Sequence, residues 1–264
     1  MRLGQLPINQ QVAHFRAGLR RNRTLTEVLA RAAVMNLPGW YLVAGCLYQT
    51  VWNVVTRQAP EAGILDYDLA YFDSSDLSWE AEDAVIQTGR QVFAGLPAPV
   101  QIRNQARVHL WYEQKFGVPC RPHESVEAAI DTFEATTACL GVCMQSGGRW
   151  QVYAPHGFAD VFNLVVRPNP VLAPRHVYQI KTTRWCQQWP SLTVLPWPGL
   201  NSLHSPTRLV LIRRAAADDP CCQHCCQAAG QRPSRADSCG MSASPQTATD
   251  GPGRLAHSYG SEGS

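Results

Sequence analysis

The architecture of this chain follows from two short stretches of its sequence. The first is Tyr41-Leu42-Val43-Ala44-Gly45-Cys46, and the second is Ile64-Leu65-Asp66-Tyr67-Asp68-Leu69-Ala70-Tyr71-Phe72. Each is an apolar run of the length typical of a buried strand, so we predict strands over 40–44 and 65–72. A helix predicted over 47–57 connects them. The first strand therefore ends directly before a helix.

The second stretch carries two aspartates, Asp66 and Asp68, with one residue between them. Because successive side chains of a strand alternate between its faces, both carboxylates lie on the face opposite to Leu65, Tyr67 and Leu69. Two adjacent carboxylates on an apolar strand repel each other unless a partner neutralises them. A divalent cation such as Mg²⁺ is the natural partner, and two such ions about 4 Å apart could hold a nucleotide's phosphates and activate a hydroxyl. The alternative is a strand end at which both aspartates face water.

Gly45 is a candidate phosphate-binding residue. A glycine between a strand and a helix lets a ligand approach the backbone closely. The helix that follows presents free N–H groups and the positive end of its dipole, which suit a phosphate. An ordinary tight turn explains the same pattern, and for this feature taken alone we prefer that explanation.

Helices and strands alternate through the first two hundred residues. Apolar residues at helical spacing predict helices over 9–19 and 24–36, the second opened by a capping box of Thr24 and Glu27. A further helix, capped by either Asp76 or Ser78, is predicted to run to about residue 94. Helices are also predicted over 105–116 and 125–133, strands over 99–103 and 164–167, and a hairpin of 138–145 with 149–153.

Length and composition predict one domain followed by a tail. The chain has 264 residues, of which 45% are hydrophobic and 16% charged, and this excludes a wholly disordered chain, a coiled coil or a collagen-like repeat. Residues 215–264 contain no Ile, Val, Phe or Trp. Such a segment cannot bury enough apolar surface to offset its backbone entropy. We therefore expect a folded domain over 1–214 and a disordered, low-complexity tail over 215–264.

Charge and apolar patterning indicate neither a nucleic acid nor a membrane as a partner. A net charge of +3 is too small to indicate nucleic-acid binding by itself. No apolar run reaches about 18 residues, so no membrane-spanning helix is indicated. Residues 1–7 lack the apolar stretch of a secretory signal. We expect a cytoplasmic protein in which the first five of the ten cysteines are reduced.

The tail contains the other five cysteines. Cys222 and Cys225 form a Cys-x-x-Cys pair. A structural zinc site needs a second ligand pair at a defined distance, and the tail offers none. Exposed thiols are therefore favoured over a zinc site.

The order of these elements resembles the core of the DNA polymerase β-type nucleotidyltransferases. In this chain a strand leads to Gly45-Cys46, and a helix then connects to a second strand that carries Asp66-Tyr67-Asp68. Over roughly residues 26–197 the chain resembles, more specifically, a largely uncharacterised bacterial family of nucleotidyltransferase-like proteins. The stretches that carry the resemblance are Gly45-Cys46-Leu47-Tyr48-Gln49-Thr50-Val51-Trp52-Asn53, Asp66-Tyr67-Asp68-Leu69-Ala70-Tyr71-Phe72-Asp73, Asp76-Leu77-Ser78-Trp79-Glu80-Ala81-Glu82-Asp83, Arg103-Asn104-Gln105-Ala106-Arg107-Val108-His109-Leu110-Trp111-Tyr112, Tyr153-Ala154-Pro155-His156-Gly157 and Arg167-Pro168-Asn169.

This resemblance implies an α+β fold in which helices flank a mixed sheet. It implies a nucleotidyltransferase that moves a nucleoside monophosphate from a nucleoside triphosphate to a hydroxyl of an unknown acceptor. Asp66 and Asp68 would then bind Mg²⁺, and Gly45 would approach the triphosphate. Cys46 would stand where a serine hydroxyl often contacts phosphate, although a thiol is a weaker donor.

The resemblance also implies a third carboxylate on the next strand, which would act as base for the acceptor hydroxyl. That strand reads Val100-Gln101-Ile102-Arg103-Asn104 and has no acid. Asp160, Glu113 and Asp73 remain open as substitutes. Without a base, the alternative function is a catalytically weak nucleotide-binding or regulatory protein of the same fold.

The same part of the chain contains other candidate binding or catalytic side chains. Arg103, in an apolar strand, is the better candidate for a phosphate ligand, whereas Arg107 is equally consistent with a solvated helix face. His109 and Glu113 are four residues apart and fit a surface pair better than a catalytic one. The C-terminal tryptophans are expected to close the core within an irregular segment rather than to stack on nucleobases.

Overall fold

The computed structural model describes residues 2–145 and 147–199. Two 3₁₀ helices cover Leu3–Gln5 and Gln105–Leu110. The α-helices of the described residues are α1 (Ile8–Leu19), α2 (Arg23–Met35), α3 (Gly45–Val55), α4 (Trp79–Val92), α5 (Tyr112–Phe116), α6 (Val126–Ile130), α7 (Ala159–Phe162) and α8 (Arg175–Gln188). The strands are β1 (Tyr41–Val43), β2 (Tyr67–Tyr71), β3 (Val100–Asn104), β4 (Gly141–Met144), β5 (Trp150–Tyr153), β6 (Val165–Val166) and β7 (Thr193–Val194).

Five of the strands form one mixed sheet in the order β3-β2-β1-β4-β5. Strand β2 pairs with β3 in parallel and with β1 in antiparallel fashion. Strands β4 and β5 form the predicted hairpin, which is confirmed, and β6 pairs with β7 in a separate parallel pair. The expected α+β fold with a mixed sheet and flanking helices is therefore present.

The two faces of the sheet differ in chemistry. One face buries Leu42, Leu69 and Ile102 in the main core, together with apolar residues of α2 and α3. The other face packs Tyr41 and Val43 with residues of α6 in a smaller apolar cluster. Because side chains alternate along β2, this second face is also the one that carries Asp66 and Asp68.

Glycine is required on this second face at Gly141 of β4. A Cβ atom added to Gly141 would lie 2.9 Å from Ile130 Cδ1 and 2.9 Å from Tyr41 Cδ1. Only a residue without a side chain lets α6 approach the sheet so closely.

Two local predictions are wrong. Helix α2 begins at Arg23, and its N-cap is Asn22, whose side chain accepts a hydrogen bond from the Leu25 N–H at 2.8 Å. Thr24 lies inside the helix, so the capping box does not form. The segment predicted as one helix over 105–116 is divided into a 3₁₀ helix and α5.

The C-terminal part of the domain contains α8, which the sequence analysis missed. Trp185 and Trp189 are buried against Trp52, so the expected core role is confirmed, but Trp185 belongs to α8 rather than to an irregular segment. The predicted boundary at residue 214, the tail and its cysteines lie outside the described residues. Within the described residues, no helix is both long and apolar enough to cross a membrane.

Candidate active site

Asp66 and Asp68 lie where β1, β2 and β3 run side by side. Asp68 is in register with Val43 of β1 and with Gln101 of β3. Asp66 immediately precedes β2 and shares the face of Asp68 because the two are separated by one residue. The predicted adjacency of the two carboxylates is therefore present in the fold.

Asp66 has a direct partner on the neighbouring strand. The Gln101 side-chain amide donates a hydrogen bond to Asp66 Oδ2, with an Nε2–Oδ2 distance of 2.7 Å. Burial raises the pKa of Asp66, while the charges of Arg184 and Lys181 and the bond from Gln101 oppose that rise. Asp66 is thus a partly buried carboxylate that is held in one orientation.

Asp68 has no comparable partner. Within residues 2–145 and 147–199 its carboxylate forms neither a hydrogen bond nor an ion pair. Burial and the charge of Asp66 raise the pKa of Asp68 to about 7, against the smaller opposing effects of Lys181 and Arg103. A partly buried carboxylate without a partner is costly as an anion, and a bound cation would relieve this cost.

The donor set fits Mg²⁺ bound together with a substrate. In the described part of the chain, no group of three or more His, Cys, Asp or Glu side chains is arranged to hold a metal. Mg²⁺ is commonly bound through one or two carboxylates with substrate phosphates as the remaining ligands, rather than in an all-protein cage. Asp66 and Asp68 supply that number of carboxylates.

The turn from β1 into α3 brings a helix N-terminus to the same site. Gly45 is the first residue of α3, and the preceding residue, Ala44, has φ 54° and ψ −121°. That backbone conformation is normally restricted to glycine, so the strained position is Ala44. A Cβ atom on Gly45 would make only an ordinary contact with Gln49 Nε2, at 3.4 Å.

Cys46 contributes its backbone and not its side chain to this turn. The residue is 1% exposed, and its thiol donates to the Val43 carbonyl with an Sγ–O distance of 3.6 Å. Burial raises the pKa of the Cys46 thiol, and the nearby charges of Asp68 and Asp66 add to the rise. The thiol therefore stays neutral and packed in the core, whereas the N–H groups of the first helical turn remain near the aspartates.

Basic side chains of β3 and α8 act on the two aspartates, and a lysine of α5 interacts in turn with those basic groups. Arg103 shares the face of Gln101 on β3, because the two are one residue apart. Lys181 and Arg184 project from α8, and their charges act on the pKa of Asp66. Lys115 of α5 has its pKa lowered by burial and by the charges of Arg103 and Lys181. The site therefore combines two carboxylates with a surrounding group of cations.

Lys181 is held by a third acid, Glu134. The Lys181 Nζ–Glu134 Oε1 distance is 3.0 Å, and the Glu134 side chain is 7% exposed. Asn169 fixes the backbone around Glu134, since its N–H donates to the Glu134 carbonyl at 2.9 Å and its side chain donates to the carbonyls of Asp131 and Phe133 at 2.8 Å each. These contacts give Asn169, the last residue of the Arg167-Pro168-Asn169 stretch, a structural role beside Glu134.

The three acids considered as substitutes for a third carboxylate are engaged elsewhere or exposed. Asp160 forms an ion pair with Arg167 at 2.9 Å. Asp73 accepts a hydrogen bond from the Ser75 N–H at 2.9 Å, and Glu113 is exposed on α5. None of them is among the charged groups that shift the pKa of Asp66 or Asp68, whereas Glu134 is.

Other candidates from the sequence are part of the scaffold. Arg107 and Glu82 form a buried ion pair, so Arg107 does not lie on a solvated helix face. Glu82 also accepts a hydrogen bond from the Asn104 N–H at 2.8 Å, which ties α4 to the end of β3. His109 and Glu113 lie in different helices and form no ion pair within the described residues.

Sequence reasoning missed Lys181, Arg184 and Glu134. Lys181 and Arg184 are three residues apart, which places them on one side of α8. This spacing would have been a usable signal if the helix itself had been predicted. Glu134 lies in a segment between elements, and no local pattern marks it.

Comparisons with known proteins give a family and a fold for this chain. A family model described as "Nucleotidyltransferase" matches residues 30–194. A solved structure titled "The NMR structure of the protein reveals a CCA-adding enzyme head domain" aligns with a TM-score of 0.57 and 19% identity, covering 74% of this chain and 100% of that one. This likeness concerns the fold. A search of curated proteins found no match.

Proposed function

The chain belongs to the nucleotidyltransferase family, and from this premise we propose that it transfers a nucleoside monophosphate from a nucleoside triphosphate to a hydroxyl group of an acceptor. The acceptor oxygen forms a bond to the α-phosphorus, the bond from that phosphorus to the bridging oxygen breaks, and pyrophosphate leaves. The observation that carries the proposal is Asp68, a partly buried carboxylate beside Asp66 with no partner in the described residues.

We assign the metal-binding role to Asp66 and Asp68. When bound there, Mg²⁺ would neutralise both carboxylates and draw electron density from the phosphate oxygens. Gln101 keeps the Asp66 carboxylate oriented through its amide. Asp68 remains available because none of the described side chains binds it.

The phosphate chain would bind between the start of α3 and the basic side chains. The N–H groups of Gly45 and Cys46 are at the positive end of the α3 dipole, where an anion is stabilised. Lys181, Arg184 and Arg103 supply positive charge on the other sides, and a guanidinium can bind phosphate in bidentate fashion. These assignments support a triphosphate ligand more than an uncharged one.

Calorimetry of nucleotide binding tests this proposal. The four nucleoside triphosphates are titrated singly into the protein, with Mg²⁺ and with EDTA. We expect binding that needs Mg²⁺, and we expect Asp66→Asn and Asp68→Asn each to weaken it at least tenfold. Glu113→Gln, a neutralised exposed acid on α5, is the matched control and should bind like the unchanged protein. Binding that is equal in EDTA and in the aspartate variants would contradict the assignment.

A second candidate function is nucleotide binding without efficient transfer. The observation that favours it is Gln101, a neutral residue on β3 in register with Asp68. Measurement of pyrophosphate release separates the two functions. Release that depends on an added hydroxyl acceptor and on Asp68 supports the transferase, whereas tight Mg²⁺-dependent binding without release supports the binding protein.

A further inference from the structure

Gln101 occupies the place on β3 that lies directly beside the aspartate pair. It is in register with Asp68 and, by strand alternation, on the same face of the sheet. Neighbouring strands are about 4.8 Å apart, so a side chain at this position reaches the same space as the Asp68 carboxylate. A third carboxylate at this position would complete a three-acid site.

The amide of Gln101 is already oriented by Asp66. An ionised carboxylate only accepts hydrogen bonds, so the group that faces Asp66 Oδ2 at 2.7 Å is the NH₂ end of the amide. An NH₂ group has no lone pair available for a metal. Gln101 therefore brings no negative charge to the site and turns its donor toward the aspartate pair.

The remaining charges also limit the number of cations. Glu134 is a further acid whose charge raises the pKa of Asp68, and its carboxylate is paired with Lys181 at 3.0 Å. Lys181, Arg184 and Arg103 already place positive charge around the two aspartates. One divalent cation balances the two carboxylates, whereas a second ion a few ångströms away would face both the first ion and these basic side chains without a further acid.

We propose that the Asp66–Asp68 site binds one divalent cation, with Gln101 in the position that would otherwise hold a second. This inference rests on the proposed function, since it assumes that the two aspartates bind metal. The single ion accompanies the phosphate chain of the nucleotide. The acceptor hydroxyl then receives no metal of its own, and loss of its proton depends on another group or on water.

The electron paramagnetic resonance of Mn²⁺ provides the test. Mn²⁺ is titrated into the full chain with and without the α,β-methylene analogue of ATP, which cannot transfer its nucleotide. Two Mn²⁺ ions about 4 Å apart give a spin-coupled spectrum, whereas one ion gives the spectrum of an isolated centre. We expect one Mn²⁺ per chain and an isolated-centre spectrum in both conditions.

The variant Gln101→Glu tests whether Gln101 is the reason that the site binds only one cation. We expect it to bind two Mn²⁺ ions per chain with the analogue present and to give a spin-coupled spectrum. Gln101→Met, which removes the amide without adding a charge, should retain one ion. Because Gln101→Glu also places three acids together, we expect Mn²⁺ to raise its melting temperature more than that of the unchanged chain.

The outcomes separate the inference from the function on which it rests. Two coupled ions in the unchanged chain, lost in Asp68→Asn, would overturn the inference and leave the proposed function intact. One ion in both the unchanged chain and a folded Gln101→Glu variant would overturn the role of Gln101. Absence of any Mn²⁺ binding that depends on Asp66 and Asp68 would remove the proposed function and the inference together.

Discussion

At the scale of single residues, Asp68 links protonation to the stability of the fold. Its pKa is raised to about 7 in the folded chain, chiefly by burial and by Asp66, whereas an unfolded aspartate has a pKa of about 3.9. The folded state therefore binds more protons than the unfolded state between these two values. Stability contributed by the protonated carboxyl is fully present at low pH and is lost as the pH rises through about 7.

From this linkage we predict that Asp68→Asn stabilises the metal-free protein at pH 8. The free energy of unfolding should increase by roughly 2–4 kcal/mol, because the variant removes a partly buried charge that has no partner, and a rise in the pKa from about 3.9 to about 7 corresponds to about 4 kcal/mol at most. At pH 4, where Asp68 is largely protonated in the folded chain, the difference should nearly vanish. Urea unfolding of both proteins in EDTA at the two pH values measures it. An equal gain at both pH values would contradict the assigned cause.

Ala44 is a second residue of the candidate site that lowers the stability of the folded chain. Its φ of 54° and ψ of −121° belong to a region that glycine adopts freely and other residues at a cost of about 1–3 kcal/mol. We predict that Ala44→Gly raises the free energy of unfolding by about 1 kcal/mol, after allowing for the greater freedom of glycine in the unfolded chain. Ala84→Gly, on an exposed position within α4, should instead lower it by about 1 kcal/mol. Urea denaturation of both variants compares the two, and a loss of stability in Ala44→Gly would contradict the strain argument.

At the scale of elements, the sequence identified the strands well and the last helix poorly. The strand at 41–43 is a compact apolar run, and the strands at 67–71 and 100–104 alternate apolar and polar side chains, so each can be recognised locally. Helix α8 is rich in polar side chains and buries only Tyr178, Thr182 and Trp185, so its periodicity is weak. Its role depends on where Trp185 is fixed in the core, which is a contact with α3 more than one hundred residues earlier.

In the candidate site too, some residues can be predicted from local sequence patterns and others cannot. Asp66, Asp68 and Gly45 are found from local patterns, because strand alternation and the strand-to-helix turn place them. Lys181, Glu134 and the bond from Gln101 to Asp66 arise from segments that meet only in the folded chain. Ala44 could not be identified from the sequence. Gly45 marks the turn in the sequence, but the strained backbone conformation belongs to the residue before it.

The basic side chains of α8 and the two aspartates should affect nucleotide binding and metal binding differently. We expect Lys181→Met and Arg184→Met each to weaken binding of Mg²⁺–nucleoside triphosphate about tenfold, because each removes a charge that would face the phosphates. The same variants should bind Mn²⁺ alone as tightly or more tightly, since a cation near the aspartates is removed. Calorimetry at low salt measures both affinities.

Two control variants distinguish the loss of a charge at the site from a loss of folding. Arg175→Met, at the exposed start of α8, removes the same charge from another part of the helix and should leave nucleotide binding unchanged. Because Lys181→Met leaves Glu134 buried without its partner, the double variant Lys181→Met/Glu134→Gln checks that the loss does not come from unfolding. If Lys181→Met and Arg175→Met bound the nucleotide with equal affinity, the assignment of Lys181 to phosphate binding would be contradicted.

At the scale of the whole molecule, the family match and the described elements reach the same point toward the C-terminus. The match spans residues 30–194, and the strand furthest along the described chain is β7 at Thr193–Val194. Residues 215–264 lack Ile, Val, Phe and Trp and contain few other large apolar side chains, among them Leu255 and Tyr259. A segment of this composition adds little to a hydrophobic core.

We therefore predict that a chain ending at Arg214 keeps both its stability and its nucleotide affinity. Its free energy of unfolding should lie within about 0.5 kcal/mol of that of the full chain, because no large apolar surface is lost. Its m-value in urea should also be unchanged, since this slope follows the surface exposed on unfolding. A chain ending at residue 184 is the contrasting control, because it lacks Trp185 and Trp189, which are buried against Trp52, and it should fail to fold cooperatively. If removal of 215–264 lowered the m-value or weakened nucleotide binding, the tail would have to pack on the domain, and the boundary inferred from composition would be wrong.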